Sequence, residues 1–338
     1  ITVQRPRVRA LEERFVSRVL PLFRRRTAAL GALLPELYLH GLALGDFELA
    51  LRGLLGDGAP LSASSILRLK AEWQAQYATW RRRSLADLPL GYLWADGLYV
   101  KAGLEATKAA LLVLIGALAD GRKVVLAVES GARESVESGA GVLRDLKARG
   151  LGAPKLTVAD GHLGIWGALA QVYPASAEQR CWNHKLRNVL DAVPEKRQPE
   201  VKVRLQRLAG AESRSECERL RAEFRRTYGR LFPKAVERLE HDWERLVSYY
   251  AFPREHWRHL RTTNVIESPF DAVRLRTSAA KRFKKVENAT ALIWKVLLVV
   301  EQHFRKLNAP HLCAEVYAGV VYRDGARVLT PPRERAAA

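Results

Sequence analysis

At Gly91 the apolar pattern changes period, and that change constrains the fold more than any other feature of the chain. Upstream, from about Glu12 to Trp80, apolar residues recur at three- and four-residue spacing, as helices require. Downstream, Gly91–Lys101, Ala109–Leu118 and Arg122–Glu129 are β-rich runs separated by polar or Gly-containing turns, which predicts an antiparallel meander. There follow a helix over Ser135–Arg149, a short buried strand at Lys155–Ala159, a helix over His162–Val172, a strand at Ala177–Cys181 and a helix over Asn183–Ala192. Strands joined through helices pair in parallel. The fold class expected is α/β, a mixed sheet of three antiparallel strands and then parallel ones, with helices on both faces.

Between Pro194 and about Leu260 no strand is convincing. Arg-, Lys- and Glu-rich helical stretches fill it, one opened by the capping-box pair Ser213 and Glu216. This reads as an all-helical insertion, 194–260, splitting an α/β domain into 89–193 and 261–308. A final helical region over Pro269–Leu307 precedes a C-terminal tail, 309–338, expected to be disordered after Pro331. The N-terminal region, 1–88, reads as short helices at Leu34–His40, Gly45–Leu55 and Ser64–Tyr77. In the last of these Ile66, Leu69 and Trp73 would face inward and Ser65, Arg68 and Lys70 outward, as in a helix-turn-helix entering a DNA groove. An ordinary three-helix bundle accounts for the same pattern.

The chain has 338 residues, with 56 Lys+Arg against 36 Asp+Glu, a formal net charge of +20. The excess is spread over much of the chain, so a polyanion is the expected partner, nucleic acid first among them. Arg274, Arg276, Lys281, Arg282, Lys284 and Lys285 concentrate it locally. The longest apolar run, Ala109–Leu118, falls well short of the ~20 residues that span a bilayer, which argues against a membrane partner. Three scattered cysteines imply a reducing, cytoplasmic compartment and no disulfides. There is no Met, even at position 1, so the chain's start is expected to differ from the translated one.

Asp96 interrupts the apolar strand Tyr92–Val100, where a buried charge is costly unless a cation or donor meets it. Asp160 ends an apolar strand and precedes Gly161, at the carboxyl edge where open α/β sheets place their ligands. If the first and fourth strands are neighbours, the two carboxylates converge. Glu267 could complete a purely local capping box with Asn264. Pro269 argues instead for a helix beginning at Ser268, with Pro in its first position and Glu267 just outside. Two Asp and one Glu suit hard divalent cations, Mg²⁺ or Mn²⁺. A pair of such ions about 3.5–4 Å apart serves in-line phosphoryl displacement. Cys181 and His184 form half of a zinc-like motif with no second half nearby; support of the active site near Asp160 is the expected role.

The order of these residues resembles that of bacterial insertion-sequence transposases of the Mutator-like type. The resemblance runs through Leu93–Lys101, Val158–Gly164, Gln179–His184, Trp257–Glu267 and Leu275–Thr277, and covers roughly Gly91 to Leu307. It implies a ribonuclease-H-like catalytic domain, Asp96, Asp160 and Glu267 as the catalytic and metal-binding carboxylates, and two ions of Mg²⁺ or Mn²⁺. Cys181 and His184 become a family signature, with Asn264 beside the Glu and Trp257 near the DNA end. It further implies double-stranded DNA partners, the terminal inverted repeats and a target, and a homodimer or larger assembly on the bacterial nucleoid. One departure is Gly139, where the family carries a bulky aromatic. A catalytically silent repressor, or a nuclease or resolvase that cleaves without joining, are the competing readings.

Overall fold

In a computed structural model, residues 35, 37–40, 63–102, 108–131, 135–161, 164–280 and 282–328 are described, with the side chains of 63–68 and 131 excepted. The expected helix at 45–55, the outward side chains of Ser65 and Arg68, and Lys281 lie outside them. The described elements are α1 (Ala63–Trp80), β1 (Leu90–Val100), β2 (Ala109–Leu118), β3 (Lys123–Gly131), α2 (Val136–Ala148), β4 (Leu156–Ala159), α3 (Ile165–Val172), β5 (Ala177–Arg180) and α4 (Trp182–Leu190). After them come α5 (Gln198–Ala209), α6 (Arg214–Tyr228), α7 (Pro233–Glu240), α8 (Trp243–Val247), α9 (Trp257–Leu260), α10 (Asn264–Ala280), α11 (Val286–Glu301), α12 (Leu312–Ala318) and a hairpin, β6 (Tyr322–Arg323) with β7 (Ala326–Arg327).

The sheet order is β3-β2-β1-β4-β5. β1 pairs antiparallel with β2, and β2 with β3, while β1–β4 and β4–β5 are parallel. β1 is therefore central, and it is covered on both faces, which explains its nearly unbroken apolar sequence. Alternation sends Tyr92 and Trp94 into a large core on one face and Leu93 and Ala95 into a smaller one on the other. α2 and α3 cover the smaller core through Ala140, Leu143, Leu146, Ile165 and Leu169. α2 runs unbroken through Gly139, capped by Ser135, whose side chain accepts from the Ser138 N–H.

Residues 194–260 contain helices and 3₁₀ turns and no strand, as their composition predicts. Their apolar faces, including Val201, Leu205, Phe224, Leu239 and Trp243, merge with the large core. At the N-terminal side, the described part of α1 is likewise built into the α/β unit: Trp80 packs 5.7 Å from the Trp294 ring, and Tyr77 Oη donates to the Val128 carbonyl at 2.7 Å. Packing thus continues across the expected boundary at residue 88. Lys70 is half-buried with its ammonium 5.8 Å above the Tyr38 ring. Among the described residues no helix is long and apolar enough to cross a membrane.

One expectation gains detail and another needs correction. The helical region over 269–307 is two helices, separated by a segment whose Phe283 bridges to Ala102 and donates its N–H to the Lys101 carbonyl at 2.9 Å. Burial of Phe283 and pairing with the end of β1 outweigh the helical propensity there. Residues 309–328, expected to be tail, are folded: Cys313, Val316 and Tyr322 are buried, and α12 lies against β1 and β2. The turn between β6 and β7 is Asp324-Gly325, both at positive φ (48° and 78°), the conformation in which Asp-Gly closes a two-residue hairpin.

Candidate active site

Trp94 pairs with Val158 and Ala95 with Ala159, so one further step of the same register brings Asp96 beside Asp160. Side-chain alternation puts both on the face of Tyr92, Trp94 and Val158, the face that α10 covers with Ile266, Phe270 and Val273. Asp96 is 7% exposed and Asp160 9%. The Gly97 N–H donates to Asp96 Oδ1 at 2.8 Å.

Burial, Asp160 and Glu267 push the Asp96 carboxyl up to about 7, against the opposing pull of the Gly97 N–H and of Arg274. Three acidic groups thus face one space and make it unfavourable to fill with negative charge alone. The consequence for stability has a definite sign. The Asp96 pKa is raised on folding from 3.8, so this group's stabilising contribution is complete below about pH 4 and is lost as pH rises towards about 7. At about 1.4 kcal/mol per pH unit the loss has a ceiling of about 4 kcal/mol. Urea titrations in chelator are expected to show the midpoint falling between pH 5 and pH 8, the fall to flatten in Asp96→Asn, and Mg²⁺ to reverse it.

Glu267 lies in the first turn of α10, not outside it. The helix begins at Asn264 because the Thr263 carbonyl accepts from both the Ile266 and Glu267 N–H groups at 2.9 Å. Pro269 falls inside the helix, where its missing N–H leaves the Val265 carbonyl without its i+4 donor. The turn presents Glu267 to Thr263, whose hydroxyl donates to Glu267 Oε1 at 2.5 Å, and to His184, whose Nδ1 is 3.7 Å from the same oxygen. Cys181 Sγ is fully buried and accepts from the Thr263 N–H at 3.3 Å; burial pushes the thiol pKa up. The Cys181/His184 pair is therefore bound into the Glu267 side of the site. Among the described residues, the one group of three candidate ligands within 4.8 Å of one another is Cys181, His184 and Glu267. The three acidic residues are not drawn together within that distance, although Asp160 and Glu267 both act on the Asp96 carboxyl. Asn264 Oδ1 accepts from Asn183 Nδ2 at 3.1 Å, joining the first turns of α10 and α4.

The basic residues divide. Arg274 is exposed at the mouth, pairs with Asp271 at 2.9 Å and acts on Asp96. Arg282, Lys284 and Lys285 are exposed on the segment pinned to the end of β1. Arg276 and Trp257, expected at the DNA surface, are buried instead. The Arg276 guanidinium stacks 3.7 Å from the Tyr38 ring, and Trp257 packs on Tyr249 and Tyr250 and donates Nε1–H to the Phe252 carbonyl at 2.8 Å. Both are amphipathic side chains whose apolar bodies are covered by aromatic rings, Tyr38 far along the chain for Arg276 and the nearby Tyr249 and Tyr250 for Trp257.

The sequence reading missed Arg180, Lys185 and Asp242. Arg180 Nη1 is 3.1 Å from the buried Asp242 carboxylate, and Lys185 Nζ is 3.6 Å from it. Arg180 also lies over Gly161, where a Cβ would stand 2.0 Å from Nη1. Gly161 is at φ +86°, so the turn that follows Asp160 needs glycine on both counts.

A model of the Mutator family of transposases matches residues 1–306. The transposase for insertion sequence element IS6120 of Mycolicibacterium smegmatis is 44% identical over 301 residues, covering 89% of this chain and 93% of that protein. That for IST2 of Acidithiobacillus ferrooxidans is 41% identical over 293 residues, 86% and 99%. That for ISRM5 of Rhizobium meliloti is 30% identical over 300 residues, 87% and 74%.

Proposed function

The chain belongs to the Mutator family of transposases, and from that premise we propose that it cleaves DNA at the terminal inverted repeats of an insertion sequence and joins the freed 3′-hydroxyl to DNA. The observation that carries the mechanism is the placing of Asp96 beside Asp160 on neighbouring parallel strands, with Glu267 facing the same space. The strand order is compatible with a ribonuclease-H-like domain. Asp96, Asp160 and Glu267 would hold two Mg²⁺ or Mn²⁺ ions. Their fit is supported by the chemistry of the donors, all carboxylate oxygens, and by the raised Asp96 pKa, which burial and then the neighbouring Asp160 and Glu267 carboxylates push up and a bound cation would relieve. Such ions, when bound, stabilise the attacking and leaving oxygens of an in-line displacement.

The remaining work falls to the chain's own residues. Gly97 N–H and the neighbouring strand orient Asp96, the first turn of α10 orients Glu267, and Arg274 stands at the mouth where a scissile phosphate would approach. In cleavage a water oxygen forms a new P–O bond as the P–O3′ bond breaks, giving a 5′-phosphate and a 3′-hydroxyl; in joining that hydroxyl forms a P–O bond to another phosphate and expels its 3′-oxygen as a hydroxyl. Both are phosphoryl transfers, so one site serves both. Arg282, Lys284 and Lys285 would neutralise flanking phosphates. Replacing all three by Ala is expected to reduce the slope of log binding constant against log salt by about 2 to 3, at about 0.9 for each phosphate left without its cation. Fluorescence anisotropy on a terminal-repeat duplex measures it.

The activity is tested with a labelled terminal-repeat oligonucleotide and Mg²⁺. Cleavage followed by a joined product is expected. Cleavage without joining would identify a nuclease or resolvase, and binding without metal-dependent nicking would contradict the proposal.

A further inference from the structure

Thr263 is 0% exposed, on the link between α9 and α10, and its hydroxyl oxygen sits among three chemically distinct side chains. It is 2.5 Å from Glu267 Oε1, 3.2 Å from Cys181 Sγ and 3.4 Å from His184 Nδ1. A hydroxyl has one proton to give and two lone pairs to fill. The carboxylate is the closest and strongest acceptor, so the proton goes to Glu267, and the oxygen is left to accept from the Cys181 thiol and from His184 in the tautomer protonated at Nδ1. The Thr263 backbone N–H meanwhile donates to Cys181 Sγ at 3.3 Å, so the same sulfur grips the residue twice. Cys181 itself is fixed to the sheet: its N–H donates to the Ala159 carbonyl at 2.8 Å, the residue before Asp160.

We propose that Thr263 is the positioning residue for Glu267: its hydroxyl, itself held by Cys181 and His184, ties the rotamer of the α10 carboxylate to the strand that ends in Asp160. The inference rests on Glu267 being a metal ligand, as proposed above. Carboxylate ligands of metals are commonly held by such hydrogen bonds, and their loss typically costs 10–100-fold in metal affinity or activity. Cys181, His184 and Glu267 are near enough to share a cation of their own, but the hydroxyl occupies the space between them.

Thr263→Val keeps the shape and removes the hydroxyl; Thr263→Ser restores it. Terminal-repeat cleavage by each is measured across a Mg²⁺ titration, alongside the thermal midpoint and DNA binding in Ca²⁺. Thr263→Val is expected to raise the half-saturating Mg²⁺ concentration about tenfold or more with DNA affinity unchanged, and Thr263→Ser to return it close to wild type. The proposal is overturned if Val and Ser behave alike. It is also overturned if Val lowers the rate equally at every Mg²⁺ concentration, in step with a lower thermal midpoint. Stoichiometric Co²⁺ binding with a sulfur-to-cobalt band that vanishes in Cys181→Ser would put a cation where the hydroxyl stands, and overturn it too. Glu267→Gln separates the layers: if that variant cleaves normally, the metal-ligand reading has failed; if it is inactive while Thr263→Val titrates like wild type, only the positioning role has.

Discussion

Asp160→Asn is expected to lower terminal-repeat cleavage by at least about 10³-fold while leaving DNA binding intact, and Asp96→Asn and Glu267→Gln to do the same. Groups that stabilise a phosphoryl-transfer transition state act as a unit, and removing one typically costs on the order of 10²–10⁶. The substitutions change one atom each and remove negative charge from a surface that must approach phosphates, so affinity for the duplex should hold or rise slightly. Non-additivity is the sharper part. Asp96→Asn combined with Asp160→Asn should be little slower than either alone, because the first substitution already disables the site. Single-turnover cleavage of a labelled duplex gives both comparisons, and a double variant slower by the product of the single effects would mean that the two residues act independently.

Asp242→Ala is expected to destabilise the protein by about 3–5 kcal/mol, the range for breaking a buried ion pair by removing one partner. Its carboxylate is 5% exposed and meets Arg180 at 3.1 Å, Lys185 at 3.6 Å, His241 at 2.9 Å and Arg245 at 2.9 Å. Arg180 and Lys185 are themselves buried, so the variant would leave two cations without their counter-ion. Burial already pushes Lys185 down to about 8 despite Asp242. Its ammonium also donates to the Arg238 and His241 carbonyls at 2.8 and 2.6 Å, which fastens α4 to the insertion. Because Arg180 lies over Gly161, loosening this cluster should also slow cleavage. Urea unfolding measures the stability change, and a loss under 1 kcal/mol would show that water takes over the role of Asp242.

The two aspartates were legible because Asp96 interrupts the apolar run of β1 and Asp160 follows that of β4, and charged residues in such places stand out. The parallel neighbours followed from the alternation of strands and helices. Glu267 was legible as a residue but its helix was not: Pro269 suggested a start at Ser268, whereas Thr263 supplies a carbonyl cap one turn earlier and the helix tolerates the lost hydrogen bond. Trp257 and Arg276 were misread for a common reason. A Trp or Arg in a basic sequence looks like a surface group until the turn that folds Tyr249 and Tyr250 back onto Trp257, and the remote Tyr38 that covers Arg276, are known. The C-terminal hairpin had its signal, Asp324-Gly325, between runs too short to show alternation. The Asp242 cluster had none, since its Arg180 and Lys185 partners are separated from it by most of the helical insertion.

That Asp96, Asp160 and Glu267 together hold divalent ions is tested most directly by counting Mn²⁺ bound to the protein–duplex complex by electron paramagnetic resonance. Two ions are expected for the wild type, with Asp160→Asn, Asp96→Asn and Glu267→Gln each losing tight binding of at least one. Unchanged stoichiometry and affinity in all three variants would contradict the account.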